Sequence, residues 1–260
     1  MAFQNALVTG ASDRLGRAMA LALAERGINV AIHYHKSADK AAKTTDEISS
    51  HGVQSAMLQA DLLDLDAAAK LVDTAANALD GPLDILINNA SAFDWDTVED
   101  ATLESWESHH KSNLQSPFIL TQKFAAQAPK ATGALGDRVA GALILNMIDQ
   151  RIRKLTPGFM TYSLSKHGAW AMTRTTAQAL APDIRVNAIG PGPTLRGANQ
   201  SEAHYQHQRA NTILERGADP ADIVGAMNYF LDAHAVTGQL LCVDGGQHLG
   251  WKTPEVQGLD

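Results

Sequence analysis

The sequence predicts an α/β fold: a single doubly wound domain with a seven-stranded parallel sheet and helices on both faces. Short apolar, β-rich stretches alternate with longer Ala-rich segments of helical period, which is the pattern of successive βα units. A chain of 260 residues with 45% hydrophobic composition can bury one large core. The order of the turn motifs along residues 1–260 favours one domain over two.

Strands are predicted near residues 3–9, 28–34, 54–59, 83–88, 141–147, 184–190 and 239–243. Helices are predicted near 14–27, 37–51, 64–80, 101–130, 157–181 and 219–233. Right-handed crossovers place helices on both faces and a ligand crevice at the carboxyl ends of the strands. The stretch 131–140 reads as a loop, and 194–215 is polar without a clean period, long enough to serve as a lid. The polar tail 252–260 is expected to meet a neighbour or fray.

Composition narrows the function classes. Net charge is −7 and the 21 Lys and Arg are scattered, so no electrostatic footprint for nucleic acid or an anionic membrane is present. Cys242 is the only cysteine, which excludes an intrachain disulfide and a Cys-rich metal site, and no metal is expected. No apolar run approaches the roughly 20 residues a bilayer needs, and Met1 to Asn5 lack a leader's basic flank. A cytosolic protein acting on a small molecule is the expectation.

The first predicted strand runs into Thr9-Gly10-Ala11-Ser12-Asp13-Arg14-Leu15-Gly16, after which a helix opens. Gly10 can supply the tight turn and Gly16 a close backbone approach, so that the helix N-terminus faces a pyrophosphate. A glycine pair also fits an ordinary β-to-α turn; its place after the first strand is what favours a dinucleotide. Arg14 stands where the usual fingerprint has its middle glycine, beside the phosphates or the substrate. Asp13 is awkward, because an acid here repels phosphate unless it points away.

The second strand ends Ile32-His33-Tyr34-His35-Lys36-Ser37, where an NAD enzyme places an acid on the ribose 2′-hydroxyl. No acid is present. Lys36 and Ser37, with His33 or His35, offer donors and positive charge to a 2′-phosphate, so NADPH/NADP+ is the predicted cofactor.

Tyr162 and Lys166 are four residues apart on a predicted helix and share one face. A phenol with pKa near about 10 is a poor acid, and a neighbouring ammonium stabilises its anion, which makes Tyr162 a candidate general acid. The pair alone is common by chance.

In order along the chain stand Thr9-Gly10 to Gly16, Ala60-Asp61-Leu62, Asn88-Asn89-Ala90, Asn113, Tyr162 to Lys166, Pro191-Gly192 and Asp244-Gly245-Gly246. With these motifs the chain resembles the short-chain dehydrogenase/reductase family over nearly its full length. The resemblance implies a Rossmann fold and a homotetramer. It implies that Lys166 also grips the nicotinamide ribose, that Asn113 holds a proton-relay water, and that Asp61 and Leu62 flank the adenine. Asn89, with Ala90 and Ser91 after it, would shape the cofactor floor, and Pro191 and Gly192 would border the nicotinamide.

The family's usual catalytic serine lies thirteen residues before the tyrosine; here that position is Asp149. A hydroxyl donates to a substrate carbonyl, whereas an ionised carboxylate only accepts, so the site reads as built for a substrate that presents N–H groups. A 2-amino-4-oxopteridine presents them. The bland alternative is a dead or misaligned position.

Arg14-Leu15-Gly16, His33 to Ser37, Asn89-Ala90-Ser91-Ala92-Phe93 and Asp149 resemble the pteridine reductase branch. That likeness implies Arg14 near phosphate and pterin, a serine on cofactor phosphate, and Phe93 stacking a flat ring against the nicotinamide; Ser12, Ser37 and Ser91 are all assigned to the cofactor. Leu195 is assigned to the substrate side with Arg14, Phe93, Asp149 and Tyr162, and Asp13 departs from the branch's basic residue. Two rival readings stay open: a reductase of a carbonyl such as a 3-oxoacyl thioester, and a catalytically silent cofactor-binding regulator.

Overall fold

The computed structural model describes residues 3–197 and 200–252. Seven strands form one parallel sheet: β1 (Asn5–Val8), β2 (Asn29–Tyr34), β3 (Ser55–Gln59), β4 (Ile85–Asn88), β5 (Ala142–Met147), β6 (Ile184–Pro191) and β7 (Leu240–Val243). Their order is β3-β2-β1-β4-β5-β6-β7, so the chain winds outward from β1 and then restarts on its other side at β4. That reversal opens a crevice at the carboxyl ends of β1 and β4. The sheet matches the predicted architecture.

Side chains alternate across the sheet. Ala6 and Val8 of β1 pack with Met19 and Leu23 of α1 (Arg14–Glu25) and Met227 and Phe230 of α8 (Pro220–Asp232). Leu7, between them in sequence, packs with Leu71 and Val72 of α3 (Leu65–Ala78) and Leu120 and Phe124 of α5 (Ser116–Gln127). Both faces are therefore covered, and the central strands β1, β4 and β5 are buried at every position. The remaining helices are α2 (Ala38–Ser49), α4 (Leu103–His110), α6 (Met160–Ala179) and α7 (Glu202–Ala210).

Helix ends follow local chemistry. Asp64 caps α3 by accepting from the amides of Asp66 and Ala67, and Asp219 and Asp222 form a reciprocal box ahead of α8. At the far end of α8, buried Arg185 of β6 donates to the carbonyls of Phe230, Leu231 and Ala233, at the negative end of the helix dipole.

Two regions refine the predicted elements. The helix predicted at 101–130 is α4, a π-helical turn (Lys111–Gln115) and α5 in succession. The polar stretch 194–215 contains α7, which buries none of its residues and is capped by Ser201 accepting from the His204 amide. Arg209 ties it down by donating to the carbonyls of Pro193 and Ala218, and Tyr205 donates to that of Thr194. In 131–140 a single antiparallel bridge joins Thr132 and Val139. Of the tail 252–260, residues 253–260 lie outside the described residues. No helix among the described residues is long and apolar enough to cross a membrane.

Asp84, buried just ahead of β4, accepts from the amides of Gln4 and Asn5 and so anchors the entry to β1. Burial pushes its carboxyl up to about 6. A folded-state pKa above the unfolded one contributes stability that is complete below the unfolded value and is lost as pH rises through about 6. Thermal unfolding of wild type and Asp84→Asn should therefore show a difference in Tm that moves in favour of wild type as pH falls from about 7 to about 4.5. A difference independent of pH would contradict this.

Candidate active site

The turn after β1 is stitched from three directions. The Thr9 hydroxyl accepts from the amides of Asn89 and Ala90, while Asn89 Nδ2 donates to the carbonyls of Thr9 (2.8 Å) and Gly10 (3.1 Å). His33 Nδ1 accepts from the Gly10 amide at 3.1 Å, which leaves Nε2–H to donate to the Ala60 carbonyl at 3.2 Å. Gly10 has φ of 62°, and a Cβ on it would lie 2.9 Å from Ala90 Cα. A Cβ on Gly16 would collide with the Gly10 carbonyl and lie 2.6 Å from Asn89 Nδ2. Both glycines are there for close approach, as the turn's geometry required.

His33 corrects one expectation. Both its ring nitrogens are spent inside the fold, and burial holds it below its usual pKa. It is a neutral strut for the glycine turn, not a cation for a phosphate.

The turn opens onto a cleft of about 670 Å³ at the carboxyl ends of the strands. Gly10, Ser12, Arg14, Leu15 and Gly16 form one wall; His35, Lys36 and Ser37 stand at one end beside Asp61 and Leu62. Asn89, Ala90 and Ser91 line the cleft, and Gly192 and Leu195 close the other end. Pro191, at the end of β6, and Lys166 are not part of that lining. Ser37 is the N-cap of α2 but makes no capping bond with its side chain. His35 Nε2 is 3.6 Å from Asp61 Oδ2, and Asp61 Oδ1 accepts from the Leu63 amide.

Asp13 is accommodated by turning to α1 and α2. Its Oδ1 accepts from the Arg14 amide as the N-cap of α1, and Oδ2 takes a 2.6 Å bond from Lys40. Lys40 first, and then the Arg14 amide, hold its carboxyl below the usual range. Arg14, with φ of 55°, reaches across the cleft and donates to the carbonyls of Leu195 (3.2 Å) and Arg196 (3.0 Å). The sequence placed Arg14 and Leu195 together at the substrate, and the fold joins them directly.

At the end of β5, Asp149 caps the short 3-10 turn Gln150–Ile152, its Oδ1 accepting from the Arg151 amide. Its Oδ2 accepts the phenolic proton of Tyr162 at 2.8 Å. Lys166 donates to the Met147 carbonyl at 2.9 Å, and its nitrogen lies 5.6 Å from the centre of the Tyr162 ring. Burial raises the Asp149 carboxyl and lowers the Lys166 ammonium to about 8. Tyr162 is pushed well above its usual value by burial and then by the Asp149 charge; the opposing cation is Arg151. The expectation that Lys166 lowers the Tyr162 pKa is thus not what this geometry gives: the phenol bonds a carboxylate, and the ammonium is spent on a main-chain carbonyl.

Asn113 lies in the π-helical turn. Its side chain accepts from the Ser91 hydroxyl and the Ala92 amide and donates to the Ala92 carbonyl and the Ser165 hydroxyl. Its own carbonyl has no α-helical donor, because the residue four positions on is Pro117.

Phe93 is half exposed beside these groups. Its ring stacks on Phe159 (4.5 Å, 8°) and meets Tyr162 edge-on (4.7 Å, 76°). Phe159 holds a left-handed backbone, with the Arg151 guanidinium 4.5 Å over its ring and Trp95 at its edge.

Behind Tyr162, Asp96 accepts from the amide and hydroxyl of Thr161 and from the Ser105 hydroxyl. The same Thr161 hydroxyl takes a 2.7 Å bond from His109 Nδ1, and His109 Nε2 accepts from the Asp94 amide. Burial raises the Asp96 carboxyl, but the Thr161 and Ser105 bonds hold it below its usual range. Sequence reading missed Phe159, Arg151 and this network. The aromatic three places before Tyr162 and the cation two places after Asp149 were the available signals.

Fold and site together define a family. The model described as enoyl-(acyl carrier protein) reductase matches residues 10–248, and the chain belongs to the short-chain dehydrogenase/reductase family. It is similar to the 3-oxoacyl-[acyl-carrier-protein] reductase of Staphylococcus epidermidis, 31% identical over 251 residues, 95% of this chain and 99% of that one. Among solved structures it is similar to FolM alternative dihydrofolate reductase 1 from Brucella suis in complex with NADP, at 38% identity and a TM-score of 0.90, covering 97% and 98% of the two chains. The Brucella canis counterpart, complexed with NADP, gives 37% and 0.88, covering 98% of each chain. The chain is an NADP-dependent reductase.

The glycine cradle tests how strictly the cleft fits that cofactor. Gly16→Ala puts a methyl group where the Gly10 carbonyl and Asn89 stand, and NADPH binding by fluorescence titration should weaken at least about tenfold with the far-UV spectrum unchanged. Wild-type affinity in this variant would show that the cradle is not where the cofactor packs.

Proposed function

We propose that this reductase acts on a C=N bond of a pteridine of the dihydropterin, dihydromonapterin or dihydrofolate type. The observation that carries the reading is a carboxylate, Asp149, 2.8 Å from the Tyr162 phenol where the family has a serine. Both Asp149 oxygens already accept, one from an amide and one from a phenol. A group that accepts through both oxygens has nothing to donate to a ketone, and it matches the N–H donors of an aminopyrimidine ring. Phe93, half exposed and edge-on to Tyr162, offers a face for a flat ring, a contact of about 1 kcal/mol.

When bound, NADPH supplies the hydride. Lys166, Ser91 and the Asn89 floor would orient it, with Asp61 and Leu62 at the adenine and Pro191 and Gly192 beside the nicotinamide. Tyr162 would give its proton to the ring nitrogen next to the reduced carbon, and Asp149 would orient the ring through its N–H groups. The Asn113 carbonyl, freed of its i+4 donor by Pro117, would hold the relay water. Arg14 and Leu195 would close over the substrate. Asp149 links the other two, its charge raising the Tyr162 phenol and favouring the Lys166 ammonium against burial.

A 3-oxoacyl thioester remains the second reading, favoured by the 31% identity to the Staphylococcus epidermidis reductase. Asp149 separates the two. Asp149→Ser should lose pterin turnover by about 1.5–3 kcal/mol, as the ligand's N–H groups lose a charged acceptor, and should gain or keep activity on acetoacetyl thioester. Loss on both substrates alike, or on neither, would contradict the assignment.

Tyr162→Phe should lower turnover about 10²–10⁴-fold with NADPH affinity near normal; near-normal turnover would overturn its role. Reduction consumes a proton, and Lys166 loses its charge as pH rises through about 8. The kcat profile should therefore decline above that pH, and a profile flat from about pH 7 to about pH 10 would contradict the coupling.

A further inference from the structure

The 2′-phosphate end of the cleft has one more charged pair than the sequence reading used. Lys40 and Thr44 lie one turn apart on the same side of α2, and Lys36 sits in the bend just ahead of the helix. Lys40 Nζ bonds Asp13 Oδ2 at 2.6 Å, and the Thr44 hydroxyl bonds the Ser12 carbonyl at 3.2 Å. These two rungs fix that side of α2 along the glycine loop. Ser12, Asp13, Lys36 and Ser37 all line the cleft.

We propose that Lys40 is a further cation of the 2′-phosphate site and that Asp13 is its exchangeable counter-ion, so that this pair sets how strongly the enzyme prefers NADPH to NADH. The pair is exposed, with Lys40 62% and Asp13 48% accessible, and an exposed ion pair is weak and quick to change partners. A 2′-phosphate carries about −1.5 to −2 charges and offers three strong acceptor oxygens, so it competes well with one carboxylate. Asp13 has a second bond, to the Arg14 amide, and so keeps its place as the α1 cap when Lys40 turns to the phosphate. An acid is tolerable in this phosphate-facing loop because a lysine stands next to it; the loop's missing basic residue is supplied from α2. The inference rests on the NADP site and is independent of the pteridine reading.

Dissociation constants for NADPH and NADH, measured by fluorescence titration of the purified enzyme, test it in four variants. Lys40→Met keeps the aliphatic stem, loses the cation and leaves Asp13 unmasked; NADPH should weaken about fivefold or more, with NADH changed less than about twofold. Lys40→Arg should retain the preference. Asp13→Asn preserves an N-cap residue and frees Lys40, and should tighten NADPH. In Asp13→Asn/Lys40→Met the penalty of losing Lys40 should be smaller than in Lys40→Met alone, because no unmasked acid remains. An unchanged NADPH-to-NADH ratio in Lys40→Met, or weakened NADPH in Asp13→Asn, would overturn the proposal. Lys36→Asp is the control: loss of preference there with none in Lys40→Met would assign the phosphate to Lys36 and Ser37 alone.

Discussion

The hydrogen bond from the Tyr162 phenol to Asp149 constrains the rest of the site. Burial, and then the carboxylate set against the phenol, raise the phenol's pKa and so keep it protonated. That arrangement needs β5 and α6 held in fixed relation. Lys166 provides one brace by donating to the Met147 carbonyl at the end of β5. The Asp96–Thr161–His109 network provides another at the first turn of α6, one residue before Tyr162. Phe159, in its left-handed conformation, turns the chain into α6 and stacks on Phe93.

The glycine turn and its cleft are built differently, mainly on close main-chain approach. Thr9, Asn89 and His33 pull the ends of β1, β2 and β4 into one cradle, and the two glycines leave it room. Charge enters at the edges, through Arg14 toward the 194–215 segment, through Asp13 and Lys40 toward α2, and through Lys36 and Asp61 beyond β2 and β3. Parallel strands make this possible, because they bring those loops to one edge of the sheet.

Much of this was legible in the sequence. The central strands are buried on both faces and read as largely apolar runs, and all seven strands were located within about two residues. Tyr162, Asp149, Arg14 and the glycine turn were legible because their chemistry is local and their spacing distinctive. The rest depends on contacts between distant segments. Helix α7 buries nothing, so it has no apolar period to read. His33 looked like a free cation because the turning of its side chain into the fold is a tertiary fact. Asp13 looked misplaced because its partner Lys40 lies 27 residues on. The π-helical turn carried one overlooked signal, Pro117, whose missing N–H interrupts the helical ladder at Asn113.

The proposed function holds that a carboxylate in the serine position selects a substrate that donates N–H bonds. Its most direct measurement is NADPH oxidation by the wild-type enzyme against a panel of dihydropterins, dihydrofolate and an acetoacetyl thioester. A site built around hydrogen bonds to its substrate discriminates strongly, so kcat/KM for at least one pteridine should exceed that for the thioester by about 10² or more. An enzyme that ignores every pteridine and reduces the thioester efficiently would contradict the claim.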